Sequence, residues 1–158
     1  MNEYNTGARN QGISEAEMFA HVGNLLDPAS VPESLSGPDF HGFDVAAVGM
    51  GFHPFPDTAL AARRLAERLR KGGVLFIVDF MPHADPDGCS DGHGHGHAPG
   101  ASETVIHFGF SEEDVRRNFE AAGVGDKFEY MVLGKGLVFS HNGKEHRRSL
   151  FMARGVKV

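Results

Sequence analysis

Two nearly continuous apolar runs dominate the pattern of hydrophobic and polar positions along the chain. They cover Phe43–Met50 and Val74–Phe80, and their lack of polar alternation predicts strands buried on both faces, as in a parallel sheet. Between them, Asp57 can cap a helix over residues 58–70, which the glycine pair at 72–73 can end. Strand, helix and strand at this spacing predict a right-handed βαβ unit.

The C-terminal part of the chain predicts one more helix and a pair of strands. Ser111 and Asp114 form a capping pattern at the start of a helix over residues 111–122. The runs Phe128–Leu133 and Ser149–Arg154 predict two strands. We expect these strands to pair antiparallel, because so short a connection suits a hairpin-like return.

The N-terminal residues show a weaker pattern. Residues 1–12 are polar and fit a frayed helix. Ser14 and Glu17 form a second capping box, and the short apolar face after them predicts a helix near residues 14–20. Val22–Leu26 is a candidate for a short strand.

No apolar pattern is visible over residues 82–103, which are rich in Gly, His, Asp and Pro and predict a mobile loop. This loop contains side chains of the types that bind zinc and copper: Cys89, His93, His95 and His97. Their spacing lacks the separations typical of a structural site, and the intervening glycines leave them unordered. We therefore predict weak adventitious binding of divalent metal and no dedicated metal site.

Composition narrows the class of protein. The chain has 158 residues, of which 41% are apolar and 23% charged, as expected for one globular domain over residues 1–158. A net charge of −6 argues against a broad nucleic-acid surface, and no apolar run has the length that spans a bilayer. The polar N-terminus and the single cysteine predict a reducing compartment, the cytoplasm by default, with the nucleus as the alternative.

Three sequence segments, in this order, resemble a known family: FDVAAVGMGFHPFPD, LRKGGVLFIVDF and GFSEEDVRRNFEAAGV. With the two late strands after them, they are similar to the second half of the class I S-adenosylmethionine-dependent methyltransferases, of the fungal small-molecule type. The resemblance implies an α/β fold with an incomplete Rossmann-like sheet, mostly parallel, and an antiparallel C-terminal strand pair. The family's sheet order is third, second, first, fourth, fifth, seventh and sixth strand, and the last four are expected to pair continuously here.

Two cofactor-binding elements of the family are not found in this sequence: the glycine-rich turn E/D-x-G-x-G-x-G and the acidic residue that ends the second strand. The resemblance thus implies that the chain starts downstream of them, as a truncated gene product, an alternative start or a natural fragment. We expect weak or no binding of S-adenosylmethionine by this chain alone. The fourth strand, Val45–Val48 in its centre, would then form an exposed sheet edge, which predicts homo-oligomers through that edge.

The resemblance also assigns site residues. Gly49 and Met50 would line the methionine part of the cofactor, because ligands of open α/β sheets lie at the carboxyl ends of the strands. His53 would face the substrate, where it orients the acceptor or takes a proton. Asn24 would bond the amine edge of the adenine, and Leu25 would pack on the adenine ring.

Each assignment has a structural alternative. His53 can simply pack on Phe55, and Asn24 can belong to an ordinary strand end closed by a turn. Asp79, at the end of the fifth strand, can shape the acceptor pocket, although a carboxylate bonded to loop N–H groups is the commoner arrangement.

The function that the resemblance implies is methyl transfer from S-adenosylmethionine to an oxygen or nitrogen of a small-molecule acceptor. A non-catalytic methyltransferase-like partner protein and an inactive fragment remain as alternatives. A metal-binding module built on the histidine-rich loop is a third hypothesis.

Overall fold

The computed structural model describes four stretches of the chain: residues 2–27, 33–83, 107–141 and 144–158. Of the predicted loop at 82–103, only Pro82 and His83 are among them. The proposed metal-ligand types in that loop lie outside the described residues: Cys89, His93, His95 and His97. The chain forms two units, residues 1–40 and 41–158; the assignment of all 158 residues to one domain stays a prediction.

The first unit begins with helix α1, Asn2–Asn10, where the sequence fits a frayed helix. The helix predicted near residues 14–20 is wrong. Glu17 accepts hydrogen bonds from Ser14 N and Oγ (3.0 and 2.6 Å), and Glu17 N donates to the Ser14 carbonyl (3.0 Å), so a single turn forms. Phe19 is 42% exposed, and the segment thus lacks the packing that stabilises most short helices.

The strand predicted at Val22–Leu26 is also wrong, because no strand lies among the described residues of the first unit. The side-chain oxygen of Asn24 accepts from Leu26 N (3.0 Å), which closes a local turn. Such a bond offers the backbone an alternative to a strand ladder. Further along, the unit contains two short 3-10 turns, Glu33–Leu35 and Pro38–Phe40.

The second unit is built on one four-stranded sheet. Its strands are β1 (Phe43–Gly49), β2 (Leu69–Phe80), β3 (Asp126–His141) and β4 (Lys144–Val156). The spatial order is β1-β2-β4-β3, with β1 parallel to β2, and β4 antiparallel to both β2 and β3. This arrangement confirms the α/β class, the order expected for the last four strands and the antiparallel C-terminal pair; among the described strands, the parallel part is the β1–β2 pair.

Two capped helices accompany the sheet: α2 (Thr58–Arg68) connects β1 to β2, and α3 (Glu112–Ala121) precedes β3. Asp57 caps α2 by accepting a backbone N–H of the first turn (2.8 Å). Ser111 and Asp114 form the predicted capping box of α3. These bonds satisfy N–H groups that have no partner within the helix. No helix in the described part of the chain is long and apolar enough to cross a membrane.

The C-terminus of α2 differs from the prediction of a glycine cap, because β2 begins at Leu69, directly after the helix. The glycines lie inside β2 instead, where a Cβ on Gly73 would stand 2.8 Å from the carbonyl oxygen of Phe43. Lys157 Nζ donates to the carbonyls of Ala66 (2.8 Å) and Leu69 (2.7 Å), in addition to the Leu69 N–H that also bonds the Ala66 carbonyl. A lysine distant in sequence therefore contributes to the capping.

β2 is a central strand, and β1 lies at the edge of the sheet. Leu75 and Ile77 of β2 are fully buried, together with Phe119 of α3. In β1, by contrast, Phe43 is 42% and Val45 55% exposed. The prediction that β1 is buried on both faces is therefore wrong. The exposed sheet edge expected at this strand is present, because β2 is its one partner strand in the described part of the sheet.

β3 and β4 extend beyond their predicted ends at 128–133 and 149–154, with 16 and 13 residues. The glycine-rich middle continues the ladder through a register shift between Leu133 and Leu137. Gly136 has a φ of 83° at this shift, and a Cβ there would collide with the backbone of the opposite strand. Only glycine fits this point of close approach.

Candidate active site

The carboxyl end of β1 has an unusual backbone. Met50 has a φ of 55°, in the left-handed region that non-glycine residues avoid at a cost of roughly 1–2 kcal/mol. Its N–H donates to the carbonyl of Val78 in β2 (2.8 Å), which holds this conformation. A Cβ on the preceding Gly49 would meet no heavy atom within 4 Å. The backbone at the end of β1 is thus open on one side, at the place where open α/β sheets bind ligands.

A fully buried carboxylate, that of Asp79 near the end of β2, organises the loop after β1. It accepts from the backbone N–H groups of Phe52 (2.8 Å), His53 (3.0 Å) and Phe80 (2.7 Å). A fourth contact, 2.8 Å long, joins Asp79 Oδ1 to Nδ1 of the His53 ring. The commoner arrangement for such a carboxylate, bonded to loop N–H groups, is therefore present, and the imidazole is added to it.

The contact with Asp79 determines how His53 presents its ring. An ionised carboxylate only accepts hydrogen bonds, so Nδ1 of His53 carries the proton and Nε2 of the neutral ring carries a lone pair. The side chain of His53 is 15% exposed, and Nε2 has no hydrogen-bond partner among the described residues. The ring contacts Phe80 (5.4 Å between centroids), whereas Phe55 packs against Phe52 (6.0 Å). The ring of His53 is therefore oriented by Asp79, and its ring contact is with Phe80 and not with Phe55.

A second histidine, His83, lies near this pair, although no sequence pattern indicates it. Its Nδ1 donates to the carbonyl of Met81 (2.9 Å), and its ring contacts the ring of Phe80 (5.5 Å between centroids). Burial lowers the pKa of His83 below its usual range. Its place in the sequence could have indicated it, because His83 follows Asp79 by four residues, just after the end of β2.

The segment before α3 completes this edge of the sheet. Phe110 N donates to the carbonyl of Phe80 (2.9 Å), and His107 N donates to the carbonyl of His53 (3.2 Å). The ring of His107 also bonds the carbonyl of Phe55 through Nε2 (3.0 Å). These bonds fasten the segment before α3 to the loop after β1 and to the end of β2.

Of the residues assigned to the cofactor, Gly49 and Met50 lie together with His53 in the second unit. Asn24 and Leu25 belong to the first unit, where Asn24 is exposed and Leu25 half-buried. The side-chain oxygen of Asn24 is engaged in its local turn. The described residues contain no group of three or more His, Cys, Asp or Glu side chains placed to hold a metal ion.

No model of a known protein family matches the sequence, and no curated protein matches it significantly. Solved structures with the same fold do exist. The YcgJ protein from Bacillus subtilis is 15% identical with a TM-score of 0.63, over 97% of this chain and 76% of that one. A methyltransferase from Thermotoga maritima that depends on S-adenosylmethionine, described as a possible histamine N-methyltransferase, is 20% identical with a TM-score of 0.53, over 96% of this chain and 67% of that one.

A third neighbour is the mitomycin 7-O-methyltransferase MmcR, 14% identical with a TM-score of 0.58, over 98% of this chain. This chain spans 38% of the length of that enzyme. At such low identities the likeness shows the fold, which is that of the class I methyltransferases dependent on S-adenosylmethionine.

Proposed function

We propose that this chain is the acceptor-side part of a methyltransferase that uses S-adenosylmethionine to methylate an oxygen or nitrogen of a small molecule. The observation that carries the proposal is the Asp79–His53 pair, with Oδ1 and Nδ1 2.8 Å apart. It lies at the carboxyl end of the β1–β2 sheet edge, where ligands of open α/β sheets bind.

His53 would take the proton of the acceptor as its nucleophilic atom attacks. Its Nε2 lone pair is the free acceptor, while Asp79 keeps the ring in one tautomer and one orientation, as in other carboxylate–histidine pairs. The bound cofactor would supply the electrophilic methyl group. Because methyl transfer chiefly requires alignment of the reacting atoms, the bonds from Asp79 to Phe52 N and His53 N would serve to fix the loop that presents the acceptor.

The residues in the second unit fit the methionine part of the cofactor. Gly49 leaves open space above its backbone, and Met50 turns the chain away in a left-handed conformation. The sequence contains no E/D-x-G-x-G-x-G turn, so the charge-assisted hydrogen bonds that such elements provide, roughly 1.5–3 kcal/mol each, have to come from elsewhere. We therefore expect this chain alone to bind the cofactor weakly.

The second candidate is a non-catalytic methyltransferase-like partner protein. The exposed edge of β1 favours it, because Val45 is 55% exposed and an unpaired strand edge is a template for another strand. In this proposal β1 pairs with a strand of a second chain, either another copy or a different subunit.

Isothermal titration with S-adenosylhomocysteine separates the two candidates. We expect a dissociation constant well above the micromolar range, with binding still measurable at millimolar ligand. Asp79→Asn and His53→Asn should then abolish methyl transfer to a panel of phenols and amines at high cofactor concentration, whereas His41→Asn should not. No binding at millimolar S-adenosylhomocysteine would overturn the enzyme proposal and favour the partner protein.

A further inference from the structure

Two histidine rings contact the same phenyl ring at the sheet edge. The centroid of Phe80 lies 5.4 Å from that of His53 and 5.5 Å from that of His83. The ring of Phe108 also packs edge-on against the ring of His83, with 6.0 Å between the centroids and an angle of 90° between the ring planes. The backbone N–H of His83 donates to the carbonyl of Phe108 (3.0 Å). This bond joins the two backbone segments that carry the rings of His83 and Phe108.

Both imidazoles have their tautomer determined by a bond at Nδ1. For His53 the partner is the carboxylate of Asp79 (2.8 Å), and for His83 it is the carbonyl of Met81 (2.9 Å). A carbonyl accepts only, so Nδ1 of His83 carries a proton and Nε2 carries a lone pair in the neutral ring. Neither Nε2 atom has a hydrogen-bond partner among the described residues.

The surroundings of His83 keep its ring uncharged near neutral pH. Burial lowers the pKa of His83, and the positive charge of Arg148 lowers it further. The bond to the Met81 carbonyl and the carboxylate of Asp79 act in the opposite direction without reversing the shift. Near neutral pH, Nε2 of His83 is therefore a hydrogen-bond acceptor and not a cationic donor.

We propose that His83 is a second acceptor-binding residue, and that the site takes a planar aromatic molecule with two hydroxyl groups, one bonded to Nε2 of His53 and one to Nε2 of His83. This inference rests on the proposed function. Two lone pairs select hydrogen-bond donors and reject carboxylates, and the positive charge of Arg148 disfavours an ammonium group. A phenolic hydroxyl has a pKa near 10, which is far closer to the pKa of an imidazolium than the pKa of an aliphatic hydroxyl is. Imidazole therefore takes a proton more readily from a phenol than from an aliphatic alcohol.

Ligand binding without cofactor tests the inference. The chain, labelled with ¹³C-histidine, is titrated with catechol and with resorcinol, which each have two hydroxyl donors. Phenol, with one donor, and 1,2-dimethoxybenzene, with none, are the control ligands. We expect at least one dihydroxybenzene to bind about tenfold more tightly than phenol, the contribution of one added hydrogen bond. The same ligand should shift the ring resonances of both His53 and His83.

Two substitutions separate binding from folding. His83→Asn retains a donor for the Met81 carbonyl but removes Nε2, and should abolish the preference over phenol. His83→Gln places an amide oxygen near the Nε2 position and should retain part of it. Circular dichroism checks that both variants fold, and protonation of His83 in acid should remove the preference in the unchanged chain.

A preference for the dihydroxybenzenes below threefold, or one that survives in His83→Asn, overturns the inference. Titration with S-adenosylhomocysteine is independent of this result. Intact two-hydroxyl binding without any cofactor binding would sink the proposed methyl transfer and leave the acceptor site standing. Cofactor binding without the two-hydroxyl preference would do the reverse.

Discussion

β1 and β2 are neighbouring parallel strands with similar apolar sequences, yet their surroundings differ. Leu75 in β2 is fully buried, whereas Val45 in β1 is 55% exposed. Each strand also carries one aspartate. Asp79 in β2 is buried and accepts from three N–H groups and an imidazole, while Asp44 in β1 is exposed and pairs with Arg70 (2.6 Å). An apolar run in the sequence therefore predicts a strand. The elements that pack against the strand determine how far its side chains are buried and which partners its polar side chains have.

The largest difference is expected from a charge placed in each strand. Leu75→Asp leaves an unpaired carboxylate in the core and should lower the free energy of unfolding by more than about 4 kcal/mol, which unfolds the domain. Val45→Asp, at the exposed edge, should lower it by about 1 kcal/mol or less. Urea unfolding followed by circular dichroism measures both, and a well-folded Leu75→Asp variant with unchanged melting would refute the common core.

The two aspartates provide the next test. Asp79→Ala removes the hydrogen-bond acceptor of three backbone N–H groups and of the His53 ring, and should lower the free energy of unfolding by about 3 kcal/mol or more. Asp44→Ala removes an exposed ion pair and should change it by about 0–1 kcal/mol. Equal effects in thermal unfolding would mean that the buried carboxylate does not hold the loop after β1.

α2 joins the two strands, and its C-terminus tests how firmly β2 is anchored. Lys157→Met removes the donor to the carbonyls of Ala66 and Leu69. We expect a loss of about 2 kcal/mol, because charged donors at a helix C-terminus bond strongly and favour the helix dipole. Lys71→Met, at an exposed position of β2, is the matched control and should be nearly neutral in the same denaturation experiment.

The N-terminal cap of α3 should have an effect on stability between those of the buried and the exposed sites, and this effect should depend on pH. The side-chain hydrogen bond from Ser111 lowers the pKa of Asp114. A carboxyl whose folded pKa lies below its unfolded value stabilises fully above the unfolded pKa, near 4, and loses this contribution as the pH falls through the lower folded value. Asp114→Ala should therefore destabilise by about 1 kcal/mol at pH 7 and by less at pH 2. A penalty independent of pH would contradict this, and Glu113→Gln serves as the control.

The smallest effect on stability, and the clearest on assembly, is expected at the exposed edge. Val45→Lys should leave the melting temperature nearly unchanged while it reduces concentration-dependent self-association, because lysine protects sheet edges. Sedimentation velocity over a range of concentrations measures this. Val158→Lys adds the same charge at an exposed position outside the sheet, and an equal response there would point to net charge instead of the edge.

Much of the second unit could be predicted, because its signals are local. Asp57 and the Ser111–Asp114 pair mark helix starts within one turn of sequence, and both caps are present. The same sequence pattern at Ser14 and Glu17 is not followed by a helix. There Glu17 accepts from Ser14 N and Oγ, but Glu17 N donates to the Ser14 carbonyl, so only half of the capping box forms. A cap satisfies the first N–H groups, yet a short helix persists only if its apolar face is covered.

The sequence by itself determined the strands, the helices between them and, through the family resemblance, the order of the strands in the sheet. It also placed Gly49, Met50 and His53 at one strand end. The tertiary structure alone decided that the faces of β1 are not buried, that Lys157 bonds the C-terminal carbonyls of α2, and that Asp79 and His83 join His53. The physical reason is distance along the chain: Asp79 lies 26 residues from His53 and Lys157 91 residues from Ala66. Residue patterns report periodicity and caps within a turn or two, whereas such contacts exist only after the sheet has brought the chain together.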